Sequence, residues 1–263
     1  MIRPAAALIC AAMTMSASLA SAEPILKPHK YYGPIPQSAL ALRIGMLGGA
    51  ENTEMIDFLD GRLQPPFEAL SDDFGNGLAI DIGYMHKPHP RFGFRVNGTY
   101  TALRSTGSGT FVPQSVNPGD SLLTAVSYSR NFDVDLMVIE LSGVYYFADA
   151  SVKDFQTYAG GGFTFGFPHE KFKEDRIDQD TGLPYGDPID LDEWGFSAGV
   201  HAVLGLLYYV SNQFGISAEG RLQLMEGRFD QLQTPNEVGD LENVNFVIDY
   251  TGFYATLGFI WAF

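Results

Sequence analysis

The chain closes with Phe253-Tyr254-Ala255-Thr256-Leu257-Gly258-Phe259-Ile260-Trp261-Ala262-Phe263. Taken two residues at a time, this stretch puts Phe253, Ala255, Leu257, Phe259, Trp261 and Phe263 on one face and Tyr254, Thr256 and Gly258 on the other. A period of two belongs to a β-strand, whose side chains point alternately to opposite sides of the sheet. One greasy, aromatic face and one small or polar face therefore meet along the last eleven residues.

The pattern recurs upstream. Residues 38–48 set Leu40, Leu42, Ile44 and Met46 against Ala39, Ala41, Arg43 and Gly45. Residues 77–86 set Leu78, Ile80, Ile82 and Tyr84 against Ala79, Asp81 and Gly83, and residues 92–103 set Phe92, Phe94, Val96 and Tyr100 against Arg95, Asn97 and Thr99. Residues 155–167 set Ala159, Phe163, Phe165 and Phe167 against Tyr158, Gly160, Gly162 and Thr164. Residues 194–209 set Trp194, Phe196, Val200, Leu204 and Leu206 against Ser197, Gly199 and His201. Residues 214–224 set Phe214, Ile216, Leu222 and Leu224 against Ser217, Glu219 and Arg221. A fourth strand lies within residues 127–147. There Val134, Leu136 and Val138 share a face opposite Asp133 and Asp135, whereas Leu141, Tyr145 and Phe147 stand opposite Glu140 and Ser142, so the parity slips and a bulge is expected.

These are eight strands. Three connections are short (residues 87–90, 148–154 and 211–212) and four are long (50–76, 104–126, 168–193 and 226–243). Short turns at one end and long loops at the other mark an outer-membrane barrel. An even strand number closes the sheet and satisfies every backbone group inside lipid. Tyr84, Phe92, Phe147, Trp194, Tyr208, Phe214 and Trp261 fall at strand ends, where two interfacial girdles belong. The expected fold is all-β: an eight-stranded antiparallel transmembrane up-and-down barrel over residues 38–263, with four long extracellular loops and three short periplasmic turns. A soluble lipocalin-like barrel would turn the greasy faces inward. An eight-stranded barrel holds only one layer of side chains inside, and these aromatic faces are too bulky for it.

The N-terminus agrees. Met1-Ile2-Arg3, an Ala-rich apolar stretch over 5–15 and Ala20-Ser21-Ala22 read as a secretory signal over residues 1–22, which makes Glu23 the first mature residue. Cys10, the only cysteine, falls inside it behind Ile9, a poor context for lipidation. The mature chain is then free of disulfides and thiol chemistry. Residues 23–37 carry four prolines and read as an irregular periplasmic segment. The longest apolar run, 196–210, is broken by glycines and His201 and falls short of the ~20 residues a spanning helix needs.

The C-terminus resembles the signal by which outer-membrane barrels are recognised, with Phe259, Trp261 and Phe263 at alternate positions. Tyr158-Ala-Gly-Gly-Gly-Phe163 and Phe214-Gly-Ile-Ser-Ala-Glu-Gly-Arg221 resemble strands of small OmpA-like and OmpX-like barrels. The resemblance runs from about residue 38 to the end. It implies an outer-membrane location, lipid and lipopolysaccharide as surroundings, and the barrel assembly machinery as a partner. The periplasmic cell-wall-binding domain of OmpA has no counterpart after Phe263 in this reading.

Without Arg3, the chain has 15 Lys and Arg against 31 Asp and Glu, and the four long connections hold 22 of the acids with 6 bases. The whole negative excess lies in the extracellular cap, which disfavours nucleic acid as a partner. The third connection carries Asp178, Asp180, Asp187, Asp190 and Asp192, a carboxylate-rich run of the sort that suits calcium or another divalent cation, although it lacks the twelve-residue loop pattern. In the first, Met55, Phe58, Leu59 and Leu63 recur at helical spacing behind Asn52 or Thr53, so a short helix packed on its own loop or a lid over the mouth is expected.

Catalytic patterns are missing. No histidine is followed two residues later by serine, as lipid A deacylases require, and Asp72-Asp73 has no His-Asp dipeptide beside it, as outer-membrane aspartyl proteases require. No catalytic residue and no cofactor are called for. The inward Arg43, Asp81, Arg95, Glu140, Glu219 and Arg221, with His201, read as a lumen network that must pair its charges or lose several kcal/mol for each. That network either plugs the barrel or lines a gated path. The leading function is a structural or surface-binding barrel acting in envelope integrity, adhesion or ligand display through its acidic loops. The alternative is a narrow transporter for small or hydrophobic solutes, as in OmpW-like barrels, which the inward Leu47, Met85 and Leu103 keep open. An enzyme is the remote third.

Overall fold

The computed structural model describes residues 36–50, 74–111, 125–148, 155–186, 188–235 and 241–263. The proposed signal, the helix expected in the first connection and Asp187 lie outside them. Ten strands follow one another: β1 (Ser38–Gly48), β2 (Gly77–His89), β3 (Phe92–Phe111), β4 (Val126–Tyr146), β5 (Phe155–Asp178), β6 (Ile189–Trp194), β7 (Phe196–Tyr209), β8 (Phe214–Pro235), β9 (Leu241–Asp249) and β10 (Gly252–Ala262). Neighbours pair antiparallel, and β10 pairs with both β8 and β1, so the sheet closes on itself. The quoted C-terminal strand is the closing element, from Ala39 opposite Ala262 to Gly48 opposite Phe253.

The ring contains eight strands. β6 and β7 are one strand with a joint: β7 pairs with the lower half of β5 and β6 with its upper part. The joint falls where Pro168 of β5 has no N–H to give and its carbonyl accepts from Gly195 N at 2.8 Å. β9 and β10 likewise share the length of β8, meeting at Tyr250, whose N–H bonds to the Met225 carbonyl at 2.8 Å.

Burial is inverted relative to a water-soluble protein. Phe259 is 73% exposed and Ile44 64%, whereas Asp81 is fully buried and Arg43 is 1% exposed. That rules out the soluble barrel, whose apolar faces would fill the inside. The outward apolar faces of β1, β2, β3, β5, β7, β8 and β10 are those expected from the alternation.

β4 departs from the expectation. Its register against β3 and β5 runs unbroken over the whole strand, with no bulge. Met137, Ile139 and Leu141 face outward, while Val134, Leu136 and Val138 face the lumen with Glu140. No slip is needed because the upper lumen is itself apolar, so the stripe of Val134, Leu136 and Val138 faces inward and not toward lipid.

The strands also run farther than expected. A membrane-spanning strand needs roughly 9–11 residues, but β4 has 21 and β5 has 24. Much of the second, third and fourth long connections is therefore strand standing above the membrane. On β5 the outward apolar stripe breaks after Phe167, and Lys171, Lys173 and Asp175 follow before Ile177. Cross-strand pairing there puts Arg104, Asp133, Lys171 and Asp192 in one outward row of alternating sign. Arg104 Nε meets Asp133 at 2.5 Å, and Tyr100 donates to Asp135 at 2.5 Å. Below the row, the His169 ring stacks on Trp194 at 4.3 Å. This belt of charge and aromatics ends the lipid-facing band.

Candidate functional site

The lumen divides into three storeys. The middle one is built from inward positions at one height on the strands. Arg43 (β1) donates through Nε to Asp81 (β2) at 2.6 Å, and its Nη1 stands 3.1 Å from Glu219 (β8). Arg95 (β3) binds Glu219 at 2.8 Å. Arg221 (β8) bridges Asp81, at 3.3 Å, and Glu140 (β4). Thr99 donates to Asp81 at 2.9 Å and Tyr158 (β5) to Glu219 at 2.6 Å. Arg221 also lies 4.5 Å from the Tyr254 ring of β10.

Three guanidinium groups thus face three carboxylates, so the layer is neutral. All six are buried. The structure brings together Arg43, Asp81, Arg95, Glu140, Glu219 and Arg221. His201 (β7) is adjacent but makes no direct ion pair: its ring nitrogens bond Ser142 and Thr164, each at 2.8 Å. It completes the ring of strands that contribute.

Two glycines make the layer possible. A Cβ at Gly83 would lie 2.8 Å from Arg43 Nη2 and 2.4 Å from Asn97 Oδ1. One at Gly205 would lie 2.1 Å from Tyr158 Cζ. The small face of each strand is the seat of a large polar side chain opposite.

The extracellular storey is apolar. Leu47, Leu136, Phe132, Phe172, Met225 and Tyr250 are buried there, with Phe74 and Phe132 rings 5.0 Å apart and Phe132 and Phe172 5.9 Å apart. Among them is one carboxylate, Glu170, which accepts from Tyr250 OH at 2.5 Å. Glu170 belongs to the part of β5 above Phe167, outside the lipid-facing band. Burial pushes its carboxyl up to about 8, opposed by the tyrosine hydrogen bond and reinforced by Glu193. Higher still, Arg130 and Arg176 both hold Glu174.

The described residues of the acidic run in the third connection do not converge. The Asp178 carboxylate accepts the N–H groups of Asp180 and Thr181, both at 2.9 Å, and so shapes a turn. Asp190 and Asp192 lie on β6, opposite Lys173 and Lys171, and Asp192 meets His169 at 2.5 Å. Among the described residues no His, Asp or Glu group is arranged to hold a metal ion. Phe259 and Trp261 lie outward on β10, with Phe263 just beyond it, the three 73%, 47% and 53% exposed.

Sequence reasoning missed Glu170, assigned to a loop, and Lys87, assigned to a turn. Parity carries both: Glu170 continues the inward series through Thr164 and Gly166, and Lys87 the series Asp81, Gly83, Met85.

No protein-family model and no curated protein matches this sequence. Among solved structures, the chain is similar to the outer-membrane protein OprG of Pseudomonas aeruginosa, at 12% identity and a TM-score of 0.49, covering 88% of this chain and 97% of that one. It is also similar to Neisserial surface protein A, at 12% identity and a TM-score of 0.39, covering 86% and 95%. A third is the outer-membrane protease OmpT of Escherichia coli, at 12% identity and a TM-score of 0.39, covering 89% and 99%. The chain is an eight-stranded transmembrane β-barrel. Identities of this size speak to architecture alone, and the roles of those three barrels differ.

Proposed function

We propose that this protein is a closed outer-membrane barrel that acts through what its extracellular end displays and binds, in envelope integrity or surface attachment, and not by conducting ions. One observation carries the reading: the neutral layer of Arg43, Asp81, Arg95, Glu140, Glu219 and Arg221 crosses a lumen only one side chain deep. Each charge is spent on a partner across the lumen, so an ion passing through would have to break buried pairs. The test is planar-bilayer conductance of the refolded barrel, with folding shown by its heat-shifted gel band. A silent membrane is expected; reproducible channels overturn the closed barrel.

In this proposal the signal is removed after Ala22, which the mass of the mature N-terminus checks. Phe259, Trp261 and Phe263 engage the assembly machinery, and lipopolysaccharide surrounds the upper belt. Divalent cations would then act between the acidic cap and neighbouring lipopolysaccharide. Catalysis has no part in it: lipid A from expressing cells keeps its mass, and a shortened lipid A would contradict this.

A second reading has its own observation. The extracellular storey is lined by Phe74, Phe132, Phe172 and Leu136, a lining that suits a small apolar solute. Uptake of such a solute into barrel-containing vesicles, but not empty ones, would favour a transporter.

A further inference from the structure

Below the middle layer the lumen holds one cation that lacks an anion among the described residues. Lys87 of β2 points inward and is 5% exposed. Its ammonium lies 5.3 Å from the Tyr209 ring centre and 5.9 Å from that of Tyr146, and donates to Tyr209 OH at 3.5 Å. The other buried cations among the described residues, Arg43, Arg95, Arg130 and Arg221, are each bound to a carboxylate. Lys87 is not bound to any described carboxylate.

Arg95 of the middle layer borders the same tyrosines. Its Nη2 is committed to Glu219, but its buried Nε and Nη1 have no hydrogen-bond acceptor. Its guanidinium lies 5.4 Å from the Tyr158 ring, and Tyr158 packs on Tyr146 at 5.6 Å. Lys87 and Arg95 therefore flank one tyrosine pair. Tyr146 spends its own hydroxyl on Met85 Sδ at 3.0 Å.

We propose that this periplasmic storey is a binding site for a small oxyanion, a carboxylate or a phosphate, held by Lys87 Nζ. The middle layer is neutral, so Lys87 leaves the storey with a net positive charge. A buried charge without a partner is strongly disfavoured. Contact with two tyrosine rings at over 5 Å offsets only part of that. An oxyanion supplies what the tyrosines cannot: a charge-assisted acceptor for the Lys87 ammonium. The ligand enters from the periplasm, because the middle layer separates this storey from the cell exterior.

The test is calorimetry on the refolded full-length barrel in zwitterionic detergent, with inorganic phosphate and propionate as separate probes. Saturable binding of at least one probe is expected, weakened tenfold or more by Lys87→Met and retained by Lys87→Arg. The tighter probe names the chemistry of the natural ligand. Lys87→Met should fold, since it removes a buried unpaired charge, and the heat-shifted band checks that. Should it fail to fold, the wild-type thermal midpoint decides alone: a rise with phosphate or propionate at constant ionic strength supports the site. A flat midpoint, no saturable binding at millimolar concentrations of either probe, or equal binding by Lys87→Met overturns it.

Discussion

The middle and upper storeys of this lumen bury side chains by opposite means. The middle layer buries six charges and cancels them in pairs across the barrel. The upper storey buries Phe74, Phe132, Phe172 and Leu136 and admits one carboxylate, Glu170, held by a tyrosine hydroxyl and no described cation. The first is bound by direction: each guanidinium has a stated partner on another strand. The second is bound by volume. A barrel whose outside faces lipid has no hydrophobic interior to spare, so its register is set where charges must find each other. Its extracellular end can then be filled like an ordinary protein core.

The contrast breaks most sharply at Arg221. Arg221→Ala leaves Asp81 and Glu140 buried and facing each other without a cation, and should lower the unfolding free energy by about 3–5 kcal/mol. Urea-induced loss of the heat-shifted band measures it. Silent bilayers from the refolded variant would fit a structural plug, whereas new conductance would make the layer a gate.

Phe132→Ala tests the upper storey in its own terms. It removes the ring between Phe74 and Phe172 and opens a cavity, at a cost of about 3 kcal/mol. Because packing is non-directional, a substitution of similar volume such as Phe132→Leu should recover most of the loss. No such rescue is expected at Arg221 from Lys, which cannot reach two carboxylates with a planar fork.

Glu170 sharpens the comparison through pH. Its folded value of about 8 lies above the ordinary carboxyl value, so the folded state holds the proton more tightly than the unfolded state. Stability from this group is fully present at acid pH, declines as pH rises through the interval between the two values, and is gone above the folded one. Between pH 6 and pH 8 the upper storey should lose about 2 kcal/mol, read as faster amide exchange in the upper parts of β4 and β5. Glu170→Gln should flatten that profile. A profile unchanged by the substitution would place the titrating group elsewhere.

How much of this could be read in advance follows the same division. The outward faces were legible because lipid demands an unbroken apolar alternation, as in Phe253, Leu257, Phe259 and Trp261. The six inward charges were legible because they share parity opposite those faces. What failed was the upper storey. Val134, Leu136 and Val138 look like a lipid-facing stripe until Glu140, on the same parity, fixes that face inward. Above Phe167 neither face meets lipid, so Lys171-Phe172-Lys173-Glu174 loses its stripe and resembles a loop, although Phe172 and Glu174 are buried. Lys87 was hidden by the prolines beside it. Pairing of charges across strands distant in sequence, such as Arg95 with Glu219, depends on barrel closure and no local pattern carries it.

The smallest effect belongs to the outward row of Arg104, Asp133, Lys171 and Asp192, which pairs charges as the middle layer does but in water. Arg104 is 73% exposed by side chain, and Asp133 41%. Solvent already screens both, so holding them together gains little beyond what each has alone. Asp133→Asn should leave the urea midpoint unchanged within error, and added salt should not alter that result. The same carboxylate-to-amide change inside, Glu140→Gln, deprives Arg221 of half its counter-charge and should shift the midpoint clearly. Equal shifts at the two positions would mean that burial, not pairing chemistry, had been misjudged as the difference between the wall and the lumen.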